Sequence, residues 1–567
     1  MRIFYFAGPL FICAVTTFFF TLPVSAQLSD IDQEQRLRQQ EQERLLREKF
    51  ASPTSVQLPR ALKPALRLPA SEAPCSIIDV IELQGELQHA FQWATEAADL
   101  PDDPATGRCI GAAGLAVIAQ RVQNAILEKG YVTTRVLIAP QTIAQHTLTL
   151  TLIPGRIRQI RFSEDSDARA TLWNAMPAQE GEVLNLRDLE QALENFKRVP
   201  SAQADVQILP AAFGVGRPGD SDIVIKWKQG LPLRANIAVD NAGTRLTGKN
   251  QTSVTLFYDH WWTLNDQFYL SVNQSTGGTQ GDARGHTLYY AIPFDWWLLS
   301  TTTSAHRYRQ AIAGLNETID YSGTSEQSDL RLSRILYRDR LRKTTAALRL
   351  WTRESANFIG DTEVLVQQRR TSGWELNVAH RELIRDATLD ASLTYRRGTG
   401  ALGAKAAPEE PFGEGSSRMQ VINADALLSV PFAFSRQQIR YSAGWRAQWN
   451  RTPLSPLDRF AIGSRYTVRG FDGELLLVGD RGWLLRQELA LALPLNRLEL
   501  YTGLDVGAVG GRSTELFPGT RLAGAAIGLR GNQSPLYWDV FIAHPIDQPS
   551  NFRAGGLNAG FNLSVSF

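Results

Sequence analysis

The sequence predicts a membrane β-barrel of about 16 antiparallel strands behind two small α/β units, on three observations. The chain opens with a secretory leader. From residue 229 onward, apolar and polar residues alternate in short segments broken by Gly, Asn and Asp. The last segment ends on an aromatic residue, Phe567.

The leader spans residues 1–26. Arg2 supplies a positive start and an apolar run follows from Ile3 to Phe20. Val24 and Ala26 occupy the −3 and −1 positions of a cleavage site, so the mature chain is expected to begin at Gln27. A membrane anchor is the alternative reading. No other run approaches the ~20 apolar residues of a spanning helix, so any further membrane contact falls to strands. Cys13 departs with the leader. Cys75 and Cys109 remain as an even pair in an exported chain. A disulfide between them is expected to stabilise by roughly 3–4 kcal/mol, and two buried free thiols are the alternative. A net charge of +2 leaves no nucleic-acid footprint.

Residues 27–50 read as a helix that is polar nearly all round, with Ser29 as its cap. Such a helix either stands in solvent or fills a polar cavity. Residues 51–74 carry five prolines and read as an extended linker.

The first α/β unit is expected over 75–154. Its helix sets Leu115, Ile118, Val122 and Ile126 on one face and stops at Gly130. "YVTTRVLIAP" reads as a strand. "HTLTLTLIPG" alternates leucine with threonine, as a half-buried strand does. The second unit, expected over 155–228, repeats the theme. Leu186, Leu189, Leu193 and Phe196 share a helix face behind Asn185 as cap, and "ADVQIL" and "SDIVIKW" are its strands.

Residues 229–567 carry the barrel. "LPLRANIAVDNAG" alternates Leu233, Ala235, Ile237 and Val239 with Arg234, Asn236 and Asp240, and "GLNAGFNLSVSF" does the same at the C-terminus. Trp261, Trp262, Tyr289, Tyr290, Trp296 and Trp297 cluster near strand ends, where membrane interfaces favour aromatics. An open sheet in lipid would leave backbone groups unsatisfied, so the sheet must close. A soluble sandwich or propeller is the alternative.

Several ordered motifs then carry a resemblance. "DNAGTRLTGKNQ", "NRTPLSPLDRFAIGSRYTVRGFDGELLLVGDRGWLLRQEL", "YTGLDVGAVG" and "LAGAAIGLRG" are similar to stretches of the two-partner secretion transporters, the exporters of haemolysins and filamentous haemagglutinin. The resemblance covers nearly the whole mature chain. It implies an outer-membrane barrel with two periplasmic POTRA domains and an N-terminal helix plugging the pore. It implies that a loop carrying Val468, Arg469, Gly470 and Phe471 folds into the lumen, with Arg469 paired to Asp505. An arginine merely solvated in a wet pore is the alternative. The first hairpin departs from the family pattern at Trp262-Thr263.

The partners so implied are the lipid bilayer and an unfolded secreted exoprotein docking on the POTRA domains, with the transporter a monomer. No nucleic acid and no cofactor are expected. The seven histidines show no metal spacing, and no Gly-x-Ser-x-Gly elbow or phosphate loop is present, so an enzyme is not expected. Two other readings are an insertase of the same superfamily and a passive porin.

Overall fold

The computed structural model describes residues 41, 56–58, 66–143, 145–211, 216–276, 281–313, 318–494, 497–552 and 555–567. The expected leader lies outside them. So does the expected 27–50 helix apart from Glu41, and so does part of the 51–74 segment.

In the first unit, the helix Ala112–Glu128 packs on a three-stranded sheet. The sheet's central strand, Thr147–Ile153, lies between Val80–Gln84 and Arg135–Leu137. Its leucines, Leu148, Leu150 and Leu152, enter a core shared with Ile118, Val122 and Ile126. The expected strand in "YVTTRVLIAP" is shorter than the pattern implies. Gly130 adopts φ +99° and ends the helix. The Gly130 N–H donates to the Leu127 carbonyl and the Tyr131 N–H to the Ile126 carbonyl. That double closure ties Tyr131 to the helix end, so pairing begins only at Arg135. A separate pair of short strands, Ser76–Ile78 and Arg108–Ile110, carries the Cys75–Cys109 disulfide at its edge.

Residues 66–74 dock on this unit. Leu68 joins its core, and its N–H donates to Asp103 at 2.8 Å. The Glu72 carboxylate accepts the N–H groups of Gly111, Ala113 and Gly114. The helix is therefore capped by a residue far upstream, because Gly111 has no side chain to cap it.

The second unit sets the helix Leu186–Lys197 against a sheet ordered Ile157–Phe162, Ser221–Gln229, Ala202–Pro210. The Asn185 side chain accepts the Arg187 N–H at 2.9 Å, which is the expected cap. Leu189, Leu193 and Phe196 pack on Ile223, Ile225 and Trp227. The opposite face of this helix, with Glu190, Gln191, Glu194 and Asn195, is buried as well.

Among the described residues, sixteen antiparallel strands form a closed barrel. It begins at Leu233–Asp240 and ends at Asn558–Ser566, and the last strand pairs with the first, Leu563 opposite Val239. Closure removes the exposed edges that lipid would not tolerate. Alternation sorts the faces: Val254, Leu256 and Val272 are exposed outward, while Gln251, Thr255 and Ser271 are buried inward. Tyr289 departs from the expected aromatic belt. It faces inward, stacked on Tyr269 at 4.8 Å beside Phe257, because it falls on the lumen register of its strand.

Candidate functional site: the lumen loop and the barrel mouth

Between the strands Gln437–Asn450 and Arg481–Leu493 the chain turns into the barrel. Phe460–Ile462 pairs with Leu477–Gly479 as a short hairpin. Phe460, Ile462, Val468, Phe471 and Leu477 form an apolar cluster with Leu484, Val509, Leu522 and Phe552 of the wall and its connections. Phe471 meets Phe552 edge-on at 5.7 Å. This apolar seam fixes the loop in an otherwise polar lumen.

Arg469 sits at the tip. Its Nε donates to Asp505 Oδ2 at 2.7 Å and one terminal nitrogen donates to Oδ1 at 2.7 Å. The backbone N–H of Arg469 donates to the same carboxylate at 2.9 Å. The other terminal nitrogen bonds Glu488 at 2.9 Å, and the Gln487 carbonyl accepts at 3.1 Å. Glu488 also pairs with Arg530 at 2.8 Å, and Arg486 lies 3.7 Å from Asp505. Asp505 is wholly buried. A planar guanidinium suits such two-pronged binding, and a lysine does not.

The close approach depends on glycine. Gly470 takes φ +113°, which few other residues adopt, and a Cβ there would meet the His544 carbonyl at 2.7 Å. On the wall, a Cβ at Gly524 would overlap the Arg469 carbonyl oxygen, and one at Gly503 would overlap its guanidinium. Sequence reasoning missed Gly503, Gly524, Glu488 and Arg530. The available signal was glycine inside strands, in "YTGLDVGAVG" and "LAGAAIGLRG", which marks close backbone approach.

A cavity of about 900 Å³ lies beside the loop, with Arg469, Arg486 and Glu488 on its wall. Glu41, helical and buried, lines it too.

The second unit closes over one mouth of the barrel through three hairpin turns. At the first turn, Asn265 donates to the Thr171 carbonyl at 3.0 Å, and Arg169 donates to the His260 carbonyl at 2.8 Å. His260 Nδ1 accepts the Asn265 N–H, and both residues take positive φ. Trp262 and Thr263 lie in this turn, where Thr263 also takes positive φ and its N–H donates to the His260 carbonyl at 3.3 Å. At the second turn, the Asp295 carbonyl accepts from Asn195 at 2.8 Å. At the third, Arg338 pairs with Glu194 at 3.0 Å and Lys343 with Glu194 at 2.6 Å. Residues 56–58 are held in the same joint. The Val56 N–H donates to Glu194, the Leu58 N–H donates to Glu190, and Arg338 donates to the Val56 carbonyl. Among the described residues, a loop is folded into the lumen and the second unit is fastened across one mouth of the barrel.

Comparison with known proteins places this architecture. A family model described as haemolysin secretion/activation protein ShlB/FhaC/HecB matches residues 219–531. A ShlB-type POTRA domain matches residues 78–155, and a further POTRA domain matches 156–210. The chain is 36% identical to the outer membrane transporter CdiB-2 of Burkholderia pseudomallei, over 88% of this chain and 87% of that one. It is 24% identical to the hemolysin transporter protein ShlB of Serratia marcescens, over 85% and 82%. The solved structure of CdiB from Acinetobacter baumannii superposes with a TM-score of 0.83 at 31% identity, covering 95% of this chain and 99% of that one. The chain therefore belongs to the ShlB/FhaC/HecB haemolysin secretion/activation family, the outer-membrane transporters of two-partner secretion.

Proposed function

We propose that this transporter exports one large exoprotein, of the haemolysin or adhesin kind, through its own barrel. The exoprotein arrives unfolded in the periplasm and its N-terminal region docks on the POTRA domains. A free sheet edge there extends the incoming chain by backbone pairing. The helix expected over 27–50 then leaves the lumen, the loop bearing Arg469 shifts, and the substrate threads outward. Folding outside the cell makes passage directional without nucleotide. The transporter works as a monomer.

The observation that carries this reading is a lumen occupied at two levels. The loop is fastened by Arg469 to Asp505, and the helical residue Glu41 lines the adjacent cavity. An unobstructed porin needs neither. No observation favours the insertase reading. Co-expression with a large exoprotein encoded beside this chain tests the proposal. The exoprotein is expected in the medium with the intact transporter, and inside the cell when residues 75–228 are removed. Equal secretion by the two forms would remove the docking role from the POTRA domains.

A further inference from the structure

The loop of the second POTRA domain around Asn174 has two neighbouring residues with opposite surroundings. Asn174 is wholly buried in the joint. Its Nδ2 donates to the Leu264 carbonyl at 2.6 Å and the Pro293 carbonyl at 3.2 Å, and its own carbonyl accepts the Asp295 N–H at 3.0 Å. Trp173 beside it is 60% exposed, and its ring lies 5.8 Å from that of Phe294.

Phe294 locates that ring. It ends the strand Gly281–Phe294, whose outward register also carries Leu288, Tyr290 and Ile292, while Tyr289 and Ala291 face the lumen. Trp173 thus lies against the outside of the barrel, on the lipid-facing surface, with its ring tilted 60° to that of Phe294. The next turn continues the same band. Trp262, 63% exposed, stacks on Trp261 at 6.1 Å. Trp261 lies edge-on to Phe268 at 4.8 Å and 5.3 Å from Tyr258, both on the outward register. Trp297 holds the Arg334 guanidinium 4.9 Å from its ring. Amphipathic rings and neighbouring arginines are the chemistry of the headgroup boundary.

We propose that Trp173 extends the barrel's periplasmic aromatic girdle, so that the second POTRA domain rests on the periplasmic phospholipid leaflet. A soluble domain seldom leaves a tryptophan this exposed beside further exposed aromatics. Continuity with the girdle identifies lipid as the occupant. The domain next to the pore is then held twice, by Asn174 to the turns and by Trp173 to the membrane. That fixes its tilt over the mouth and leaves the first POTRA domain as the part free to swing toward substrate.

The test uses the full chain in phosphatidylethanolamine–phosphatidylglycerol vesicles. A nitroxide is attached to Trp173→Cys and, for comparison, to Gln207→Cys on an exposed face of the same domain. Cys75 and Cys109 are joined and do not label. Oxygen is expected to relax the probe at 173 more than a water-soluble nickel complex does. The oxygen-to-nickel ratio should be severalfold higher at 173 than at 207. Equal ratios would overturn the proposal. So would a probe at 173 shielded from both reagents, since protein would then cover it. A second arm needs no label: brominated lipids should quench the intact chain more than Trp173→Phe, and equal quenching would also refute lipid contact.

Discussion

Arg469 and Asp505 are joined by two side-chain hydrogen bonds of 2.7 Å, and the Asp505 carboxylate also takes the Arg469 backbone N–H at 2.9 Å. One wall residue thus holds both the charge and the main chain of the loop tip. Opposite charges about 4 Å apart attract by roughly 4 kcal/mol at an effective dielectric near 20. Desolvation takes back much of that, so the pair specifies a position more than it adds stability. The loop's seat depends on this pair, a small apolar cluster and a few further hydrogen bonds, such as Arg486 to the Tyr466 carbonyl and the Arg245 N–H to Glu474, whereas the barrel rests on sixteen strand pairings.

The first prediction follows from that imbalance. Arg469→Ala and Asp505→Ala should each leave a folded, heat-modifiable barrel in the membrane and sharply reduce secretion. The double variant should be little worse than either single, because the second change removes an interaction already lost. Heat-modifiability on gels and exoprotein in the medium check this. Defects that multiply in the double variant would mean that the two residues act independently.

A second prediction concerns the wall glycines. Gly524→Ala places a methyl group against the Arg469 carbonyl, which is main chain and cannot swing aside. Gly503→Ala meets the guanidinium, the end of a longer side chain. Overpacking of this kind costs about 1–3 kcal/mol. The first change should therefore displace the loop more than the second. Single-channel conductance and protease access to residues 465–475 should both rise more in Gly524→Ala. Equal behaviour of the two variants would contradict the close approach.

A third prediction tests the joint at the mouth. Arg338 and Glu194 are both almost fully buried, and Lys343 completes the group. Removing one partner of a buried pair costs roughly 3–5 kcal/mol when the remaining charge is left unpaired, and the cost here is smaller because Lys343 still faces Glu194. Arg338→Ala should loosen both the second POTRA domain and the segment at residues 56–58. Limited proteolysis near residues 56–58 should then run faster, and Arg338→Lys should restore part of the protection. Unchanged cleavage in Arg338→Ala would mean that the hydrogen bonds at the other two turns suffice.

The barrel was legible because lipid enforces a strict two-residue alternation, and the helices of both POTRA domains because their apolar faces repeat at the helical period. The loop's place in the lumen came from motif resemblance. Nothing in the local pattern of "RYTVRGFDGE" says which wall it meets. The joint was invisible for a different reason. Glu190, Gln191, Glu194 and Asn195 form a polar stripe, and a polar stripe ordinarily means water. Here Arg338, Lys343 and the turn carbonyls replace that water. Their burial follows from which turns the helix meets, which the helix's own sequence does not encode. Likewise Tyr289 reads as an interface residue by composition, and a single step of register sends it inward.

The final prediction turns on Asp188, in the first turn of the Leu186–Lys197 helix. A helix N-terminus favours an anion, yet burial together with the nearby carboxylates of Glu182 and Asp295 pushes its pKa up from 3.8 to about 6. The folded state therefore holds a proton that the unfolded chain has lost between about pH 4 and pH 6. The sign is that of a raised acid. Stability falls as pH rises through this window, and the full penalty persists above it. A shift of this size corresponds to roughly 3 kcal/mol at most, and less for a side chain that keeps some contact with water. Asp188→Asn retains the shape and removes the charge. At neutral pH it should slow hydrogen exchange across Leu186–Lys197 in the full chain, by up to about a hundredfold. Near pH 4, where the folded wild type is already protonated, the two proteins should exchange alike. The same protection at both pH values would assign the gain to packing rather than to charge. No protection at neutral pH would mean that the N-terminal dipole already offsets the burial of the carboxylate.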